Sequence, residues 1–319
     1  MKNEKYKQIF AALLIIIQCL IFGFAFIAIK KMMEQEFPTF LLISVRFFGG
    51  AISLFILGCL FSLSPILRKS IGAIEKFNKA EFVGGILSGC LLFGAFALQT
   101  FGAKITTPAK NGVFTDLFVV IVPIIGMLHS KKKNIRQIFA AIITFFGATI
   151  VLDLYRDSTN FNMGDALSIL CGVLFAIQFV VMENFAMLST KKSKINPYNF
   201  TVIQLFVVSI LASIFSLMLE TKSYISINWE NTFAWLVYLC VGATGIAYLL
   251  QFFAQTKISA ETTAALSCSE SIFTFVFSVM FGFDKMSWQL TLGFIIMILG
   301  MLLSTISLKT KAKGEIYEE

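Results

Sequence analysis

Long apolar runs, each closed by a short polar break, recur along the whole chain. They fall near residues 8–29, 38–62, 80–102, 106–128, 134–153, 163–186, 197–219, 230–253, 258–281 and 287–308. A helix needs about 20 mostly apolar residues to cross the hydrocarbon core of a bilayer, and each run is near that length. Backbone groups in lipid must be paired within their own segment, which selects helices. The roughly ten-residue alternating segments of a transmembrane barrel are absent. The pattern predicts an all-α polytopic membrane protein with ten transmembrane helices. The first run is long for a signal-peptide core and has no small-x-small cleavage site before Lys30, so it is expected to be retained.

Composition agrees. Hydrophobic residues make up 57% of the chain and charged residues 14%, against about 25% charged in ordinary soluble proteins. This excludes a secreted enzyme, a nucleic-acid binder and a disordered scaffold. The net charge of +8 is a topology signal. With the N-terminus placed inside, 18 Lys and Arg residues fall on the inner side and six outside (Lys30, Lys31, Lys104, Arg156, Lys222 and Lys285), leaving Arg46 and Lys110 within spans. Both termini are therefore expected in the cytoplasm, with attraction to anionic lipid and no nucleic-acid partner. Six cysteines lie in apolar runs without a C-x-x-C pair and read as small hydrophobes. A single histidine, His129, excludes a histidine metal cluster. No metal and no cofactor are implied.

A shift of 153 residues aligns the chain with itself. Gly147 meets Gly300, Ala140 meets Gly293, Lys104-Ile105-Thr106 meets Lys257-Ile258-Ser259, and Phe22 and Phe26 meet Phe175 and Phe179. Two halves, 1–153 and 154–319, each carry five spans. Five is odd, so the halves are expected to be inverted. Inverted repeats are the plan of many secondary transporters, with the site at the midplane between the halves. Gly147 and Gly300 each follow a small residue seven positions earlier. Such spacing suits close packing of the fifth and tenth spans on each other, or a homodimer contact.

These features resemble the drug/metabolite transporter superfamily, in particular its EamA-like members. The resemblance is carried by Thr107–Leu152 (TPAKNGVFTDLFVVIVP…KKKNIRQIFAAIITFFGATIVL) and by Ile258–Ser304, with its acidic turn before the last helix (FGFDKMSWQLTLGFIIMILGMLLS). Arg46 in SVRFFGG matches an arginine typical of the second span. Glu270 stands at a family glutamate usually followed by proline, here Ser271, and Asp284 stands where glutamate is more usual. The resemblance implies secondary active transport in a bacterial cytoplasmic membrane, without ATP. The absence of a G-x-x-x-x-G-K-[ST] phosphate loop agrees.

Ionisable residues at membrane depth cost about 2.5–3.5 kcal/mol each on insertion scales, so they mark functional candidates. Asp116 lies near the middle of the fourth span and Glu270 near the middle of the ninth. Carboxyls in a low-dielectric setting are suited to carry protons, and protons are the expected coupling ion. The competing role for each is a hydrogen-bonded tie between helices. Thr263, Ser267, Glu270, Thr274 and Ser278 recur at helical spacing and predict one polar stripe. Lys110, Asn111 and Thr115 precede Asp116. Lys110 either snorkels outward or attracts a substrate anion. Arg46 either binds an anion or pairs with Glu183, the pair being the stronger expectation. Gln178 and Tyr248 complete the candidate set. Gln18, Gln99, Gln204 and Gln251 share their depth and are expected mainly to bond between helices. The phenylalanines are expected to face lipid or packing.

The expected activity is alternating-access transport of small polar metabolites. Amino acids or their relatives lead, since acid and base together suit a zwitterion. A nucleotide-like or cofactor metabolite, or drug efflux, is the alternative. The cavity is expected between spans one, three, four, six, eight and nine. A membrane-embedded enzyme or assembly protein forms a different class, and an enzyme would need a nucleophile–base pair that the sequence does not offer.

Overall fold

The computed structural model describes residues 2–63, 75–130, 135–151, 161–188, 195–283, 286 and 288–306. Asp284 and most of the loop lysines and arginines lie outside these. Among the described residues the chain is all helical, with no strand. In chain order the helices are α1 (Lys2–Glu34), α2 (Thr39–Leu63), α3 (Lys79–Ile105), α4 (Pro108–Thr115), α5 (Phe118–Ser130), α6 (Ile135–Val151), α7 (Met163–Leu188), α8 (Pro197–Leu219), α9 (Trp229–Val237), α10 (Ala247–Gln255), α11 (Ala260–Ser267), α12 (Ser269–Met280) and α13 (Trp288–Ile306). A π-helical stretch, Tyr238–Ile246, joins α9 to α10.

Seven segments among the described residues are long and apolar enough to cross a membrane: Tyr6–Glu34, Thr39–Leu63, Lys79–Ile105, Met163–Ala186, Pro197–Leu219, Trp229–Gln255 and Ala260–Met280. The chain is a multi-pass membrane protein. Its outward face fits, since α2 exposes Phe48, Phe55 and Leu60, and α6 exposes Phe139, Ile142 and Phe146. Large apolar side chains in such numbers belong against lipid.

Local sequence explains the helix starts. Asn78 and Glu81 form a reciprocal capping box at the start of α3, worth about 1 kcal/mol. The Glu81 carboxylate also accepts from the Asn196 backbone and the Asn199 side chain, joining α3 to the start of α8. At the opposite end of the bundle, Glu220 accepts from the backbone N–H groups of Phe40 and Leu41 at 3.0 and 2.9 Å, capping α2 from the end of α8. Lys30 there donates to the carbonyls of Ala103 and Thr106, where the end of a helix favours a cation.

α6 and α13 pack along each other away from the centre. A Cβ on Gly147 would stand 2.7 Å from the Gly293 carbonyl oxygen, and one on Gly300 would stand 2.7 Å from the Thr144 backbone nitrogen. The seven-residue spacing of small residues thus serves a seam within the chain.

Two expected continuous spans are interrupted. The fourth breaks after Thr115, where Leu117 and Val119 turn to shorter bonds on Phe114 and Asp116. The ninth breaks at Cys268. The polar stripe of the ninth span is accordingly split between α11 and α12.

Candidate functional site

The two breaks lie beside each other at mid-depth, because α4 packs on α12 and α5 packs on α11. Each break is held by another helix. On α7, Gly172 approaches so closely that a Cβ there would stand 2.7 Å from the Thr115 carbonyl oxygen and 3.0 Å from that of Phe114. On α1, the Cys19 thiol donates to the carbonyl of Ser267 at 3.5 Å and of Leu266 at 3.7 Å. The thiol adds a donor to the carbonyls beside the second break, and Gly172 lets α7 come into backbone contact at the first.

Around the breaks the helices line a cavity. α1 contributes one face, Gln18, Phe22, Ala25, Phe26 and Ile29, which at 1.5 Å per residue runs about 16 Å along the helix. Opposite stand Phe175 and Phe179 of α7, with Phe118 stacked on Phe179 at 4.9 Å. Phe96 and Gln99 of α3, Thr115 beside the first break, and Tyr248 and Gln251 of α10 close the sides. Ser267 and Glu270 line it beside the second break. α2 adds Arg46. The lining thus comes from the six expected spans and from the second.

Arg46 is buried, and its guanidinium is held by two hydrogen bonds and by aromatic rings. Nε donates to Thr244 Oγ1 at 2.7 Å, Nη2 donates to the Ala243 carbonyl at 3.2 Å, and the group lies 4.7 Å over the Phe96 ring. Both polar partners belong to the π-helical stretch, whose wider winding changes which carbonyls are engaged within the helix. The expected pairing with Glu183 is therefore replaced: the π stretch and the aromatic face take that role. Arg46 and Asp116 both lie within electrostatic reach of Glu270.

The remaining candidates divide. Asp116 is buried directly behind the wall and accepts from Ser271 Oγ, the residue after Glu270. Asn111 is buried away from the cavity. It donates to the Gln99 carbonyl and accepts from Thr115 and Ser168, tying α4 to α3 and α7. Gln178 donates to Ser88 and Thr274 donates to the Glu270 carbonyl one turn back, and neither lines the cavity. Lys110 stands in the first turn of α4 and also stays outside it. The lining residues beyond the candidate set are Gln18, Gln99, Gln251, Ala25, Ile29 and the phenylalanines. A signal for four of the rings was present: Phe22 and Phe26 match Phe175 and Phe179 under the 153-residue shift, and all four line the cavity.

The geometry brings a carboxylate, a guanidinium and several amides into one aromatic-walled space. Groups of these kinds together suit a small molecule with both charged and apolar parts.

A model of the EamA-like transporter family matches residues 9–153 and again 162–306. A protein of Archaeoglobus fulgidus described as an uncharacterized transporter is 26% identical over 280 residues, covering 86% of this chain and 79% of that protein. A second from the same organism, described in the same words, is 26% identical over 224 residues, covering 69% and 73%. A solved crystal structure superposes with a TM-score of 0.71 at 18% identity, covering 95% of this chain and 99% of that one. That likeness speaks for the fold.

Proposed function

The chain belongs to the EamA-like transporter family and is a membrane transporter, and on that premise we propose that it moves small polar metabolites by secondary active transport, with amino acids or their relatives as substrates. The observation that carries this reading is Glu270 and Arg46 lining one cavity walled by phenylalanines. A zwitterion meets both charges there, its ammonium group at Glu270 and its carboxylate at Arg46, while the rings take its apolar part. A nucleotide-like substrate held through Lys110 loses support, since Lys110 does not line the cavity.

The proposed architecture is ten spans in two inverted halves, 1–153 and 154–319. The paired interruptions support it. The 153-residue shift relates Cys19 to Gly172 and Ser267 to Phe114, and Cys19 meets Ser267 at one break as Gly172 meets Phe114 at the other. Alternating access would rock one half against the other about the cavity. Glu270 would meet substrate or proton directly, and Asp116 would share the proton through Ser271. Both termini would lie in the cytoplasm, on the basic side.

The test measures metabolite pools inside and outside cells making the wild type or Glu270→Gln, with the membrane level of each protein checked. An amino acid that redistributes only with the wild type supports the reading. Equal pools in both, at equal protein levels, would refute it.

A further inference from the structure

We propose that Gln18, on α1, and Ser267, at the end of α11, form a subsite that reads an uncharged hydrogen-bond donor on the transported molecule: a hydroxyl, amide or ring N–H group. This rests on the transport reading above and adds a specificity determinant to the same cavity.

The pair is distinguished by what it lacks. Buried polar groups are nearly always hydrogen-bonded. Gln18 and Ser267 are each 1% exposed. Gln18 Nε2 donates to Gln251 Oε1 at 3.1 Å, yet Gln18 Oε1 has no partner among the described residues, and neither has Ser267 Oγ. Other buried side chains carry unpartnered atoms, among them Gln178, Thr201, Gln204 and Gln255, and none of these lines the cavity. Gln18 and Ser267 do. Their neighbours explain why the two stay together. The Cys19 thiol, next to Gln18, donates to the Ser267 carbonyl, so α1 and the end of α11 are locked at this point. Gln251 holds the Gln18 amide in orientation. The result is an unpartnered amide oxygen and an unpartnered hydroxyl lining the same cavity, toward the end of the α1 face remote from Ile29.

The chemistry follows. A carbonyl oxygen accepts from O–H or N–H and offers nothing to an alkyl group. The hydroxyl can donate or accept, so it can serve the same substituent. A site built to bond such a group rejects the analogue lacking it, because its own polar atoms are then buried unpaired. The phenylalanine walls carry the body of the molecule, and the two charged side chains carry its ionic groups. Gln18 and Ser267 then discriminate between molecules alike in both respects.

The test uses purified full-length protein in proteoliposomes and two matched pairs of amino acids. Tyrosine is compared with phenylalanine, and glutamine with methionine, by counterflow. The expected result is that the wild type prefers the donor-bearing member of at least one pair by about tenfold. Gln18→Met reduces that preference to within about threefold while flux of the apolar member persists, and Ser267→Ala gives a smaller reduction. Melting of the same proteins in detergent supplies a readout independent of transport. Ser267→Ala replaces an unpartnered buried hydroxyl with an apolar group and leaves the midpoint unchanged or higher. A parallel fall of both members with Gln18→Met, or a Ser267→Ala midpoint lowered by several degrees, makes these packing residues and overturns the proposal. Equal transport of both members of each pair by the wild type overturns the subsite alone. If the wild type moves none of the four, the amino-acid reading fails and the subsite falls with it.

Discussion

α4 and α11 are each eight residues long, each capped at the start by a hydroxyl side chain, Thr107 or Ser259, and each stops at mid-depth. They differ in where the acid falls. Asp116 directly follows α4 and closes it, while Glu270 lies beyond the second break, in the first turn of α12. The first turn of a helix favours negative charge and the last turn does not. Asp116 meets that disadvantage with the Ser271 hydroxyl and stays behind the wall. Glu270 faces the cavity. Similar interruptions thus hold one acid tied and leave the other turned to the substrate space. A repeat can preserve a backbone device while its chemistry diverges through a small shift in register.

The comparison can be broken most decisively at Glu270. Glu270→Gln is expected to lower substrate flux about thirtyfold or more, the scale for removing one member of a buried charged contact, with normal levels of folded protein. The next largest effect is structural and probes how the breaks are held. Gly172→Ala forces a methyl group onto backbone carbonyls and is expected to cost about 1–3 kcal/mol, seen as a lower melting midpoint. Cys19→Ala on the other break removes only a weak thiol donor and is expected to cost under about 1 kcal/mol. Asp116→Asn should lower flux only a few-fold, since an amide oxygen can still accept from Ser271. An Asp116→Asn defect as large as that of Glu270→Gln would erase the distinction between the two acids. Smallest of all is Lys110→Met, expected to leave flux within about twofold because the side chain lies outside the cavity. A large loss there would restore an anionic-substrate role for that lysine.

Much of the fold was legible from apolar run length, because lipid leaves few options for a backbone. The α6–α13 seam was legible too, through glycines spaced at seven. The interruptions were not, since Asp116 and Cys268 sit within runs that satisfy every length and hydropathy rule. Of the candidates, Glu270, Ser267, Thr115, Tyr248 and Arg46 line the cavity, while Asn111, Thr274 and Gln178 do not, since depth fixes a level in the bilayer and not the direction in which a side chain points. The π stretch had no periodic signature, and with it the partners of Arg46 were hidden. The phenylalanine walls were visible as a repeat coincidence but carried no charge to mark them as a site.

The most direct test of the account is net uptake of amino acids into proteoliposomes carrying the wild type, Asp116→Asn or Glu270→Gln, with internal pH followed in the same vesicles. The account predicts substrate entry accompanied by a proton signal in the wild type, both reduced but present with Asp116→Asn, and both lost with Glu270→Gln. Substrate entry through folded Glu270→Gln at the wild-type rate would contradict it.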